Sequence, residues 1–390
     1  MKRKTNRNNK INVNQDDYDQ LGQLVETDEK IYYASQWQLI LWRFGRHKLA
    51  VASTILLIIF YIMAFLPGFF APYLKDERFK GYQISKPSTI HIFHEGKLTR
   101  PFIYDMELKM NQETFRMYYE ENKEGVRYPI QFFVRSEESY NLLVFFEGNL
   151  HLFGVEAGGP PLMLFGSDSL GRDVFSRVIY GATISMTIGL VGVTISFFLG
   201  IMLGGIAGYV GGIGDAIIQT AIDLLQTIPQ MPLWMTLSAA VPRDIPVTQR
   251  YFMMTLVLSF LGWTRLARVV RGRLLAMREE DYALAAKGSG ASTFRIVTRH
   301  LIPGFTSHLI VSITMSIPAM ILGEVALGFL GLGMQKPAVS WGVLLQDAQN
   351  IVSIAHQPWL IIPAGAVILV ILLYNFVGDG LRDSADPYVM

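Results

Sequence analysis

Six stretches of the chain are apolar over roughly the 20 residues a helix needs to cross a hydrocarbon core, and polar segments separate them. They lie near 49–70, 178–209, 215–241, 251–267, 305–332 and 359–377. Pro229 and Pro232 interrupt the third, and Pro318 lies in the fifth. Proline frees backbone carbonyls, so these are either hinges or bends of static membrane helices. Gly200, Gly204 and Gly208 recur every four residues, leaving a bare helix face for close packing within the chain or against a second copy. The pattern predicts an all-α polytopic membrane protein with about six transmembrane helices.

The polar segments add detail. Residues 1–34 read as a cytoplasmic tail, partly disordered, because its first half is basic and Asn-rich with almost no apolar content. In 35–48, Trp37, Trp42 and Phe44 alternate with Gln36, Gln38, Arg43 and Arg46, as in a helix lying in the membrane interface. A continuation of the first span (49–71) fits the same periodicity. Residues 72–165 combine β-rich runs at 89–93, 131–135 and 141–146 with a helical pattern at 111–123. A small α+β insertion between the first two transmembrane helices is expected. His91 and His94 are three apart in a strand, hence on opposite faces, and no carboxylate lies at ligand spacing in sequence, so no metal site is expected.

Composition agrees with the pattern. The 390 residues are 51% hydrophobic and 17% charged, against about a quarter charged in soluble domains. The net charge of +2 gives no footprint for nucleic acid. Without cysteine there are no disulfides, thiolate metal sites or thiol chemistry. No G-x-x-x-x-G-K-[ST] occurs, so the chain has no Walker loop for ATP, and no H-E-x-x-H or G-x-S-x-G occurs either. Arg43, Arg46 and Lys48 precede the first span, and eight Lys or Arg crowd 265–299. Six spans put both regions on one side, so both termini and the basic loop are expected in the cytoplasm and 72–165 outside.

Two polar motifs carry chemistry. Before the second span, Gly166-Ser167-Asp168-Ser169-Leu170-Gly171-Arg172-Asp173 is followed by Val174-Phe175-Ser176-Arg177. Ser167 or Asp168 can cap a helix there, and Arg172 can pair with Asp173 at the membrane surface. Residues 281–303 run from Asp281 through Ala285-Ala286, Gly290 and on to Leu301-Ile302-Pro303. A small-residue helical turn, a glycine break and a second helix ended by proline make a knob too polar for lipid.

These motifs resemble the G-T-D-x-x-G-R-D signature and the Glu-Ala-Ala loop of the dipeptide/oligopeptide (peptide/opine/nickel) ABC-importer permease family, in its C-type subunit. Ser167 stands for the signature Thr, and Leu284 for the loop's Glu. Asp223-Leu224-Leu225 before Ile228-Pro229, the run 323–333, and Gly378-Asp379-Gly380 with Asp386-Pro387 extend the match. The resemblance covers about 35–70 and 166–387, leaving the tail and the insertion unmatched.

It implies a type I importer permease fold, with 166–390 as a core of five transmembrane helices and 268–304 as a cytosolic coupling loop. Asp281, Ala285, Ala286, Gly290 and Pro303 would seat that loop on an ATPase. Gly166, Asp168, Gly171, Arg172 and Asp173 form the signature. Asp223 and Glu324, ionisable groups inside apolar stretches, line the path or a gate, or act as buried struts. The implied partners are a second homologous permease, two ATP-binding subunits that hold ATP and Mg, an extracytoplasmic solute-binding protein and the lipid bilayer, with no nucleic acid. The chain itself would bind no cofactor or metal and catalyse nothing. The setting is the cytoplasmic membrane of a bacterium or archaeon, and the cargo peptides or oligosaccharides. An ATP-independent secondary transporter or channel is the reading from another class, but it calls for an inverted repeat or a charged midplane cluster.

Overall fold

The structure, a computed structural model, describes residues 35–385 apart from 111, 114, 116, 143–145 and 157. The expected tail 1–34 and the pair Asp386-Pro387 lie outside the described residues. Helix α1 (Gln36–Arg46) starts on a reciprocal cap: Ser35 Oγ accepts from the Gln38 amide, and Gln38 Oε1 accepts from the Ser35 amide. Arg43 and Arg46 occupy its last turn, where cations suit the helix dipole. His47 then breaks the chain and caps α2 (Lys48–Phe65) by accepting from the Ala50 amide at 3.2 Å. Residues 36–46 are therefore a separate helix and not a continuation of the first span.

Among the described residues, five helical stretches are long and apolar enough to cross a bilayer: Lys48–Phe65, Val174–Val210, Val247–Met277, Thr293–Phe329 and Pro358–Ala385. The stretch predicted at 215–241 is instead two short helices, α5 (Gly212–Thr227) and α6 (Gln230–Ala239). Ile228 between them is extended, the conformation a following proline imposes. The fourth span is longer than its hydropathy predicts, because α7 (Val247–Met277) continues through Arg268, Arg271 and Arg273 before the segment 281–303 begins.

Helix α4 (Val174–Gly205), extended by a π-helical turn (Ile206–Val210), is the central post. The glycine stripe on it packs inside the chain, against α7. A Cβ at Gly204 would lie 2.6 Å from the Ala267 carbonyl oxygen, and one at Gly208 2.8 Å from that of Arg271. Helix α10 (Thr306–Phe329) crosses the opposite way, and Met186, Ile188, Met254, Leu258 and Ile321 fill the core between these posts. Helix α2 pairs with α13 (Ile362–Ala385), where the Tyr61 and Tyr374 hydroxyls share a hydrogen bond.

The insertion differs from its expected α+β build. Among the described residues it holds strands only, in three small antiparallel sheets: β1 (His91–His94), β2 (Lys97–Tyr104) and β5 (Arg127–Pro129); β3 (Met106–Met110) with β4 (Met117–Glu121); and β6 (Gln131–Leu142) with β7 (Phe146–Gly154). The segment expected to be helical, 111–123, contributes β4. Tyr119 explains the difference: its ring is buried, and its hydroxyl donates to the carbonyls of Gly81 and Gln83 at 2.7 and 3.0 Å. Tertiary pairing thus overrides a local helical pattern.

Candidate functional site

The signature loop is a buried polar hub. Asp168 is 3% exposed, and its Oδ1 accepts from the amides of Leu170 and Arg172 at 2.8 and 3.1 Å. Its Oδ2 accepts from Arg172 Nε at 2.7 Å and from Arg177 Nη1 at 2.9 Å. Arg172 thus pairs with Asp168 and not with Asp173 as expected, because the turn 168–172 folds the guanidinium back onto Asp168. The cap also falls elsewhere: Asp173, not Ser167 or Asp168, accepts from the Ser176 amide at 2.7 Å and the Ser176 hydroxyl at 2.6 Å to start α4. Burial drives the Asp173 carboxyl up to about 7, against the Ser176 hydrogen bonds that hold it down. Ser167 ties the loop to the insertion by accepting from the Ser85 amide at 2.8 Å. Gly166 and Gly171 both hold φ near +74°, and a Cβ on Gly171 would meet the Phe79 carbonyl oxygen at 2.5 Å.

Arg177 was not anticipated as part of this hub. It is 2% exposed, and the one available signal was a lone cation in the first turn of an apolar span. Glu324 forms a second knot deeper in the helices. It is 1% exposed, Ser185 Oγ donates to its Oε2 at 2.7 Å, and Ser185 Oγ in turn accepts from the Trp341 amide at 3.0 Å. Such placement makes Glu324 a strut tying α4, α10 and α11 (Trp341–Gln346) together.

Asp223 behaves in the opposite way. It is not a buried strut but stands exposed on α5, with its Oδ1 2.6 Å from Arg268 Nη2 on α7. Below it Asp215 takes a two-pronged contact from Arg271, at 2.6 Å on each oxygen. Gln226, Thr227, Pro229 and Gln230 are exposed on the same broken element. Apolar solvent could not satisfy the freed carbonyls or this ion pair, so the face requires water or protein against it. In the sequence, Arg268 is one of the basic residues of 265–299 and nothing there marks it as a partner of Asp223.

The knob comprises α8 (Asp281–Gly288), Gly290, α9 (Thr293–Arg295), a π-helical turn (Ile296–Leu301) and a 3₁₀ turn (Ile302–Phe305). Gly290 sits at φ +78° in open space, a left-handed stop suited to glycine. Ser292 caps the second helix by accepting from the Arg295 amide. One side is a plug: Ala283, Ile296, Leu301 and Phe305 are buried with Val270, Leu274 and Leu309. The other side carries Asp281, Tyr282, Leu284, Ala285 and Phe294, all exposed, Phe294 at 78%. Ala286 is half-buried and Pro303 exposed at the rear of the knob. Of the five residues expected for this loop, Asp281 and Ala285 are thus exposed on α8 beside Tyr282, Ala286 turns toward the plug, and Gly290 and Pro303 lie in the turns that follow; Tyr282 and Phe294 were not singled out by the spacing of small residues.

In the insertion, His91 Nε2 lies 3.0 Å from Glu121 Oε2, a carboxylate that sequence spacing had not brought near. Among the described residues no three metal-ligating side chains come together.

Comparison with known proteins matches residues 200–389 to the model of the binding-protein-dependent transport system inner membrane component, and residues 35–87 to that of the N-terminal TM domain of oligopeptide transport permease C. The dipeptide transport system permease protein DppC of Bacillus subtilis is 39% identical over 57% of this chain and 68% of its own length. The oligopeptide transport system permease protein OppC of the same organism is 34% identical over 57% of this chain and 71% of its own. A solved chain of the MetNI methionine ABC transporter, in inward-facing conformations, is 17% identical with a TM-score of 0.42, covering 54% of this chain and 97% of that one. The matched segments and these relatives agree: the chain is a multi-pass inner-membrane protein that belongs to the dipeptide/oligopeptide permease family of binding-protein-dependent transport systems.

Proposed function

We propose that this chain is one of two permease subunits in an ATP-driven importer, and that it encloses half of the path by which peptides cross the membrane. The observation that carries the reading is the knob: a plug fixed to α7 and α10, with Tyr282, Leu284 and Phe294 left bare on its far side. Exposed apolar side chains on a polar cytosolic element are a contact surface for another protein. That protein is an ATPase, which supplies ATP and Mg from its own site. Closure of two such ATPases would push the knobs of the two permeases together, and each plug would pass the motion to its helices as a rigid-body tilt.

The broken element supports the location of the path. Asp223, Arg268 and the freed carbonyls near Ile228 need a wet or protein-lined face, and a pathway shared with the second permease supplies one. In this arrangement both termini and the knob face the cytoplasm, and the insertion faces the binding protein outside. Peptides are proposed as cargo because the relatives are named for dipeptide and oligopeptide transport.

Affinity purification of this subunit in mild detergent, with identification of what copurifies, tests the proposal. Two nucleotide-binding chains and a second permease are expected. A stable, folded chain recovered alone, with uptake that survives ATP depletion, would overturn it in favour of an ATP-independent transporter.

A further inference from the structure

The first span has one continuous bare stripe. Ile55, Ile58, Ile59, Ile62 and Phe65 recur at three- and four-residue spacing and are all exposed, an apolar face of α2 that no other described part of the chain covers. The stripe does not stop where the helix does. Lys48–Phe65 has 18 residues, which at 1.5 Å each span about 27 Å, close to the thickness of a hydrocarbon core. With Lys48 at the cytoplasmic boundary, the short helix α3 (Pro67–Phe70) falls at the outer boundary. There the ring of Phe69 packs against Phe133 of β6, centroid to centroid 6.5 Å.

Phe133 is 61% exposed and its neighbour Phe132 70%. Two adjacent phenylalanines bare on a strand are unusual, and Phe133 adopts φ +61°, a conformation bulky side chains avoid. The hairpin is held at this height. His151 of β7 bonds the Ala71 carbonyl oxygen at 2.6 Å, and Phe153, the cross-strand partner of Phe132, packs on Phe175 in the first turn of α4. Its base is therefore pinned between the outer ends of two spans, with the exposed cation Arg135 two residues beyond Phe133.

We propose that Phe132 and Phe133 rest in the outer leaflet at headgroup level, so that the β6–β7 hairpin is a lipid-seated foot that sets the height of the insertion over the first span. The occupant is lipid because the patch continues the uncovered apolar face of a membrane span, lies at interface depth and sets apolar rings beside the cation Arg135, as elements lying in the interface do.

The chain lacks cysteine, so Phe133→Cys gives it a single labelling site for an environment-sensitive fluorophore, attached to this subunit before it is assembled with its partners. The assembled transporter would be placed in nanodiscs whose lipids bear a nitroxide quencher either near the headgroup or deep in the acyl chain. Strong quenching by the shallow label, weaker quenching by the deep one, and no change on adding the binding protein are expected. No quenching from either depth, or quenching abolished by the binding protein, would overturn the proposal and make the patch a protein contact. If Phe133→Cys fails to assemble, Phe132→Cys, the neighbouring exposed position on β6, reads the depth of the same hairpin.

Discussion

The signature loop and the knob are both polar motifs adjoining apolar spans, and both resemble one family, yet their physics is opposite. In the loop every charged side chain is turned inward: Asp168, Arg172, Asp173 and Arg177 are each less than a tenth exposed. In the knob only the plug is inside, and Asp281, Tyr282, Leu284 and Phe294 face out. A motif of the first kind fixes geometry, and one of the second kind offers a surface. Substitutions in the loop should therefore show first as lost protein, and substitutions in the knob as lost coupling.

The sharpest break of this contrast is Asp168→Ala. It strands two buried guanidinium groups, a loss worth about 3–5 kcal/mol when one partner of a buried pair is removed. The expected result is little or no monodisperse transporter on size exclusion in detergent, whereas normal yield would mean the hub is not what holds the outer ends together. Gly171→Ala comes next, at about 1–3 kcal/mol for a strained left-handed residue, worsened by contact with the Phe79 carbonyl, and a lower thermal midpoint would register it. Leu284→Glu lies at the small end. An exposed substitution of this kind stays within about 0.5 kcal/mol, so the midpoint should hold while ATPase stimulation by cargo-loaded binding protein changes.

The loop also predicts a pH signature. A carboxyl raised to about 7 in the folded protein, against about 3.9 unfolded, favours the protonated form. Its contribution to stability is thus complete below about pH 4 and lost as pH rises toward 7. His151 runs the other way: burial lowers it, partly offset by the Ala71 and Gly68 carbonyls, so its contribution is full above about 6.5 and fades in acid. Asp173→Asn keeps a capping side chain but removes the first titration. Thermal unfolding of this variant should lose the decline seen between about pH 4 and 7 in the parent, and an unchanged decline would assign it to another group.

Much of this was legible in the residues. Apolar run lengths marked five of the six stretches as spans, and proline placement foretold the break in the third, because both are set by local chain physics. The small-residue and glycine spacing of 281–303 marked the knob for the same reason. What the sequence hid depended on distant partners. Tyr119 becomes part of a strand because Met106–Met110 lies alongside β4 and the carbonyls of Gly81 and Gln83 await its hydroxyl. Arg172 chooses Asp168 over its neighbour Asp173 because Gly171 reverses the chain. Asp223 and Glu324 looked alike as acids in apolar stretches. Only packing assigns one to a surface ion pair and the other to the interior.

The central claim, that the knob is a coupling surface and not a structural part, is tested most directly by Gly290→Trp. The position is open, and the left-handed backbone costs a non-glycine residue only about 1–2 kcal/mol, so the variant should fold. Uptake and ATP hydrolysis would be measured together in proteoliposomes containing the purified complex. The account predicts normal insertion, with uptake per ATP hydrolysed, or ATPase retention itself, sharply reduced. Normal uptake with an unaltered ratio, or failure of the subunit to insert, would contradict it.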